Sequence, residues 1–132
     1  MLSKEALENF LIGSDLTYEE LAEGMFLVRS REDDLPIVVN HSPPLLIVRM
    51  KVMDLAPGGG REELYRTLLQ LNATDVVHGA YGIEEGEIIL SHTFQLDTLD
   101  VPELQAAMES IQMAASSHMG RIQSLAAEPV EG

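Results

Sequence analysis

The fold is decided by residues 61–95, REELYRTLLQLNATDVVHGAYGIEEGEIILSHTFQ, which predict a helix followed by two strands. Five apolar residues in the first third of this stretch recur at helical spacing and form one broad face: Leu64, Tyr65, Leu68, Leu69 and Leu71. Asn72 follows them and belongs to a residue type that tolerates the left-handed conformation in which many helices end. The rest of the chain can be placed against this amphipathic helix and the strands that follow it.

The two strands, at residues 76–83 and 87–96, flank a tight turn at Glu84-Glu85-Gly86, where glycine supplies the positive φ that such a turn needs. Alternation places five residues of the second strand on one face, which we expect to be buried: Ile88, Leu90, His92, Phe94 and Leu96. A two-residue turn sets Ile83, Tyr81, Gly79 and Val77 opposite them, whereas a three-residue turn sets Gly82, Ala80, His78 and Val76 there. The first pairing joins apolar to apolar and is preferred. It puts Gly79 opposite His92 and separates His78 from His92 on different faces.

Composition excludes several classes of function. The 132 residues contain 8 Lys and Arg against 22 Asp and Glu, a net charge of −14, which opposes binding to nucleic acid or to anionic lipid. The absence of cysteine excludes disulfides and thiolate metal sites. No apolar run is long enough to span a bilayer, and the charged N-terminal residues do not suit a signal peptide. We therefore expect a cytoplasmic chain with no membrane insertion.

The N-terminal half predicts one helix and three strands. Ser3 can cap a helix that ends at Gly13, and residues 17–24 fit either a short helical turn or the entry to a strand. Strands are predicted at residues 25–28, 37–40 and 45–55, with a polar turn at 31–34 between the first two. The third strand is apolar on both sides at its start, so it should lie centrally in the sheet.

The last helix has the clearest start signal in the chain, because Asp100 can cap it and Glu103 completes a capping box. A heptad spacing then continues for three repeats, through Leu104, Met108, Ile111, Ala115, His118, Ile122 and Leu125. A helix reaching Ala127 would be about 38 Å long. That exceeds what a small sheet needs for its cover, so Ile122 and Leu125 are predicted to find little sheet to contact.

These elements predict an α+β fold with a mostly antiparallel five-stranded sheet in the order α-βββ-α-ββ-α, with the helices packed on one face and a long C-terminal helix. We expect residues 1–127 to form a single domain and residues 128–132 a disordered tail.

No constellation of residues predicts catalysis, a cofactor or a metal. The four histidines are expected to be hydrogen-bonded or to face solvent: His41, His78, His92 and His118. The carboxylate clusters lack calcium-loop spacing, and no nucleophile-elbow pattern occurs. One alternative from a different class remains, a small-ligand-binding domain or an enzyme that uses a carboxylate and His92 in a pocket under the hairpin.

Four segments together resemble the class I type III secretion chaperones, the Tir-chaperone group, and the related YbjN-like bacterial proteins. They are Leu68-Leu69 with Asn72, residues 79–83 (GAYGI), residues 87–90 (EIIL) and residues 96–100 (LDTLD). The resemblance implies a small, acidic, usually dimeric bacterial cytosolic protein without catalytic residues. The secretion chaperones of this group bind an extended segment of a protein partner.

Two surfaces are predicted to make protein contacts. The resemblance implies dimer contact around Leu64, Leu68 and Leu71, and the heptad spacing implies a helix partner along the last helix, with contacts at Met108, Ile111, Ile122 and Leu125. Either stripe could instead lie wholly on the sheet. The sequence thus favours a non-enzymatic protein-binding domain, chaperone-like or adaptor and regulatory in role, that acts as a homodimer on a protein partner.

Overall fold

The computed structural model describes residues 1–30, 35–58 and 61–127. The polar turn predicted at residues 31–34 and the tail predicted to be disordered lie outside these ranges. The elements, in chain order, are α1 (Lys4–Ile12), β1 (Thr17–Ala22), β2 (Met25–Arg29), β3 (Pro36–Ser42), β4 (Leu45–Asp54), α2 (Glu62–Thr74), β5 (Ala80–Glu84), β6 (Glu87–Gln95) and α3 (Val101–Ala127).

The described strands form one antiparallel sheet in the order β1-β2-β3-β4-β6-β5. The predicted α+β class, the long last helix and the central place of β4 are confirmed, but the sheet has six strands where five were expected. The additional strand is β1, in the segment that fitted either a helical turn or a strand entry. All six of its side chains are exposed, so it lacks the alternation of buried and exposed residues that marks most strands.

Glu20 of β1 does not serve in a capping box. Its carboxylate accepts a hydrogen bond from the backbone N–H of Gly24 at 3.2 Å and forms an ion pair with the ammonium of Lys4 at 2.8 Å. The hydrogen bonds donated by Lys4 and by the backbone N–H of Gly24 lower the pKa of Glu20. The polar residues of this strand therefore stabilise a turn and tie the sheet edge to α1.

The inner face of the sheet carries the core. Its residues are almost completely buried: Phe26, Val28, Ile37, Val39, Leu46, Val48, Met50, Ile88, Leu90 and Phe94. Residues from all three helices join the same cluster, including Leu7 of α1, Leu64 of α2 and Leu104 of α3. Most side chains that point to the other face are partly or fully exposed, and Ile89 is the buried exception among those described, so the described helices cover one face only.

The β5–β6 hairpin has the predicted two-residue turn. Glu85 and Gly86 both have positive φ, 51° and 76°, and Ile83 pairs with Ile88. The first strand is shorter than predicted, since β5 begins at Ala80. Gly79 precedes it with φ 84°, a conformation that turns the chain out of the strand and leaves Val77 80% exposed.

Side-chain hydrogen bonds join α2 to β5. Asn72 accepts from the backbone N–H of Tyr81 at 2.7 Å through Oδ1 and donates to the carbonyl oxygen of Tyr81 at 3.1 Å through Nδ2. The prediction that Asn72 ends the helix is wrong, because α2 continues to Thr74. Asn72 instead acts as a bridge between the middle helix and the sheet.

The second half of α3 packs beside α2. His118 Nδ1 lies 2.9 Å from the Tyr81 hydroxyl and its Nε2 lies 3.4 Å from Asp75, while Arg61 donates to the carbonyl of Ala126 at 3.1 Å. Burial raises the pKa of Tyr81 to about 12, so the phenol is neutral at physiological pH. Ile122 is completely buried and belongs to the core cluster. That it finds little sheet to contact stays a prediction.

Candidate partner-binding surfaces

The residues predicted to make protein contacts lie mainly in the core of the chain itself. Leu64, Leu68 and Leu71 of α2 are buried, as are Met108, Ile111 and Ile122 of α3, and Leu125 is partly buried. Their burial within the chain accounts for the helical and heptad spacings without a partner protein. The sequence had left this open, since either stripe could pack on the chain's own sheet. Contact between copies through these side chains stays a prediction.

The outward side of α2 exposes two large apolar residues. Tyr65 and Leu69 are four residues apart, hence on one side of the helix, and are 39% and 69% exposed. The sequence placed both in the single apolar face of this helix. The structure divides that face into a buried part and an exposed pair, which we call the α2 outward face.

The outer face of the sheet carries a second apolar surface. Leu27 of β2 lies directly opposite Val38 of β3, and Ile47 of β4 lies diagonal to Val38 on the same face. All three side chains are partly exposed although strands flank them on both sides. We call these three residues the outer apolar strip.

A groove of about 350 Å³ lies next to this strip, with Val38 and Ile89 as its apolar floor. Arg49 donates to Glu84 at 3.0 Å at its rim, and Lys51 pairs with Asp54 at 2.9 Å and with Glu87 at 3.5 Å. The hydrogen bond to Asp54 and the nearby carboxylates raise the pKa of Lys51 and keep it charged. We call this the hairpin groove. Because both of its described cations are paired with carboxylates, an apolar side chain can enter without leaving either of them unpaired.

The histidines predicted to lie on opposite faces are close together. The rings of His78 and His92 meet edge-on with centroids 5.8 Å apart, because β5 begins only after Gly79 has turned the chain. Burial, and then the neighbouring His78, lower the pKa of His92. Among the described residues, no group of three or more His, Asp or Glu side chains is placed to hold a metal ion.

The alternative of a ligand pocket at His92 finds no support in the geometry. His92 packs edge-on against Phe94 with ring centroids 4.5 Å apart. Neither the hairpin groove nor a larger groove between α1 and α3 is lined by His92. His41 and His118 make hydrogen bonds, to the carbonyl oxygen of Leu2 at 3.0 Å and to Tyr81 respectively.

The family model CesT_Tir_1 matches residues 3–128. The chain belongs to this type III secretion chaperone family. The resemblance to the Tir-chaperone group is thereby confirmed. No curated protein sequence matches the chain.

Two solved structures are similar to this CesT_Tir_1 member. A chain of the HopA1-SchA chaperone–effector complex matches with a TM-score of 0.63 and 14% identity, over 89% of this chain and 92% of that one. A chain of the heterodimeric ExoU-SpcU complex from the type III secretion system of Pseudomonas aeruginosa matches with a TM-score of 0.51 and 16% identity, over 88% of this chain and 86% of that one. At these identities the likeness establishes the fold. Within the part of the chain that is described, no helix is both long enough and apolar enough to cross a membrane.

Proposed function

We propose that the chain is a non-enzymatic, cytoplasmic chaperone that acts as a homodimer and holds an extended segment of an effector-like protein. The family and the two chaperone–effector complexes among its structural neighbours support a protein-binding role. The observation that carries the proposal is the outer apolar strip, which no described helix covers although it lies near the middle of the sheet.

The outer apolar strip suits an extended segment better than a small ligand. Leu27 and Val38 stand side by side on neighbouring strands, and Ile47 follows on the next, so the strip runs across the sheet. An extended chain presents alternate side chains to such a surface. Covering the exposed apolar area contributes about 25 cal/mol per Å². The adjoining hairpin groove offers one of these side chains a recess.

The test compares capture of partners by the tagged wild type and by a Leu27→Glu, Val38→Glu double variant. The variant should retain its cooperative melting but lose the proteins that the wild type captures from the native bacterium, because two charges now stand where apolar side chains must dock. A Gln123→Glu, Ser124→Glu variant adds the same charge at exposed positions of α3 and should capture as the wild type does. Equal capture by all three chains would refute the outer strip as the docking surface.

Homodimer contact is proposed at the α2 outward face. The family resemblance implies contact at this helix, and the structure leaves Tyr65 and Leu69 as its exposed apolar residues. In sedimentation, the wild type should form a dimer and a Tyr65→Glu, Leu69→Glu variant should be a monomer with unchanged helix content. The Gln123→Glu, Ser124→Glu variant is again the charge-matched control. A wild type that stays monomeric at every concentration would end this part of the proposal.

A further inference from the structure

A groove of about 560 Å³ lies between the end of α1 and the first half of α3. The partly exposed Phe10 and Leu16 line it with apolar surface on the N-terminal side, and the almost completely buried Met108 lines it on the α3 side. The volume falls within the range of sites that bind ligands of moderate size. The groove is on the helical side of the molecule and shares no lining residue with the hairpin groove.

The wall formed by the segment after α1 is fixed by its own hydrogen bonds. Gly13 N–H donates to the carbonyl of Asn9 at 3.1 Å, and the Ser14 hydroxyl donates to the carbonyl of Leu11 at 2.7 Å. The same hydroxyl accepts from the N–H of Leu16 at 3.2 Å. The groove is therefore formed before anything enters it, which limits the entropy lost on binding.

Among the described residues that line the groove, the two charged side chains are both carboxylates. Asp15 stands on the N-terminal wall and Glu109 on α3, where Gln105 donates to its Oε1 at 3.2 Å. Across the described ranges, Asp15 makes no ion pair or side-chain hydrogen bond. The ammonium of Lys4 is engaged by Glu20 and Glu8. Within the described ranges, the groove thus combines an apolar floor with two carboxylates that no cation pairs.

A polar group at the wall also lacks a partner. Gln112 lines the groove, and its Nε2 is buried with no hydrogen-bond partner in the described structure. An unpaired buried amide is unfavourable, so a rotation of the Gln112 side chain that brings Nε2 to a carbonyl group of a bound chain is favoured. An extended polypeptide supplies such carbonyl groups between its side chains.

We propose that this groove binds a Lys or Arg side chain of the partner's extended segment, together with an adjacent apolar side chain. The cation lies between Asp15 and Glu109, and the apolar side chain contacts Phe10, Leu16 and Met108. The inference rests on the proposed function, because the apolar and acidic groups of the groove would suit any amphipathic cation. The proposed function is what identifies that cation as part of a protein partner's extended segment. The net charge of −14 adds a long-range attraction for such a segment.

The test uses the full chain and a fluorescently labelled peptide, Gly-Ser-Leu-Arg-Leu-Ser-Gly, in anisotropy titrations at low salt. Matched peptides carry citrulline for arginine or serine for both leucines, and acetyl-arginine amide serves as a small cation. The arginine peptide should bind most tightly, and added salt should weaken it because the attraction is screened. Asp15→Asn and Glu109→Gln should each weaken it by roughly three- to tenfold. Glu19→Gln, an exposed neutralisation on β1, should leave it unchanged.

The outcomes separate this inference from the proposed function. No binding of the arginine peptide, equal binding of the citrulline peptide, or equal effects of Glu109→Gln and Glu19→Gln would each overturn the groove proposal. Acetyl-arginine amide competing as well as the peptide would show a small-cation site and would also overturn it. The outer-strip variant Leu27→Glu, Val38→Glu should bind the peptide normally. If the outer-strip variant lost peptide binding while Asp15→Asn and Glu109→Gln kept it, the groove proposal would be refuted and the docking surface on the sheet would remain.

Discussion

Replacing Gly79 by alanine should lower the free energy of unfolding by about 2–5 kcal/mol, because a conformational and a steric cost add at this position. Gly79 has φ 84°, and left-handed conformations cost an L-residue about 1–2 kcal/mol. An added Cβ would lie 2.6 Å from the carbonyl oxygen of Ser91. That oxygen belongs to the backbone of β6, so relief requires the hairpin to shift, and overpacking of this kind costs about 1–3 kcal/mol. Gly79→Val, with a branched Cβ, should cost at least as much.

Urea unfolding followed by circular dichroism measures the loss, and the melting temperature should fall by roughly 3–5 °C for each kcal/mol. Gly82→Ala is the matched control, since it lies in the same hairpin at negative φ and its Cβ would meet only Cγ1 of Ile89 at 4.0 Å. That variant should stay within about 0.5 kcal/mol of the wild type. Equal stability of the two alanine variants would show that the reasoning about Gly79 is wrong.

Three further predictions follow from the same part of the molecule. Asn72→Ala should destabilise by about 1–3 kcal/mol in urea unfolding, because it removes two hydrogen bonds to the backbone of Tyr81 that are each worth about 0.5–1.5 kcal/mol. Gln70→Ala, at an exposed position on the same helix, should cost little, and an equal loss would contradict the bridge. Because the pKa of His92 is lowered on folding, the unfolded chain binds more protons, so stability should fall as the pH drops below about 6.5. His92→Gln should flatten that part of the profile of melting temperature against pH, and a parallel profile would count against it. Zinc or nickel in excess should leave the melting temperature unchanged, because His78 and His92 gain no third ligand among the described residues. A rise of several degrees would reveal a site.

The features that the sequence predicted correctly are set by local interactions. Ser3 accepts from the N–H of Ala6 at 3.0 Å and Asp100 from that of Glu103 at 2.8 Å, so both cap signals could be recognised within four residues. The hairpin register followed from one glycine and the alternation of apolar residues. The resemblance to the chaperone family likewise rested on residues in and around this hairpin.

The features that the sequence missed depend on distant parts of the chain. The strand β1 is stabilised by pairing with β2 and buries none of its side chains, so no alternation of apolar and polar residues distinguished a strand there from a helical turn. The burial of Ile122 depends on long-range packing, because it joins a core cluster made by residues of all three helices and the sheet. A charged substitution at Ile122 would therefore disrupt the core. The α1–α3 groove brings together Asp15 and Glu109 from opposite ends of the chain, and no spacing rule connects them.

The bridge made by Asn72 determines how this sheet can be extended. The amide and carbonyl of Tyr81 bond to Asn72, so they point away from β6, toward the position that a seventh strand would occupy. The carboxamide has the donor and acceptor of a peptide unit and imitates that strand for one residue. A strand from another molecule therefore meets occupied groups at the centre of β5. Strand addition at this end of the sheet would have to displace Asn72 from Tyr81, which opposes edge-to-edge association there, whereas β1 forms the other edge of the described sheet.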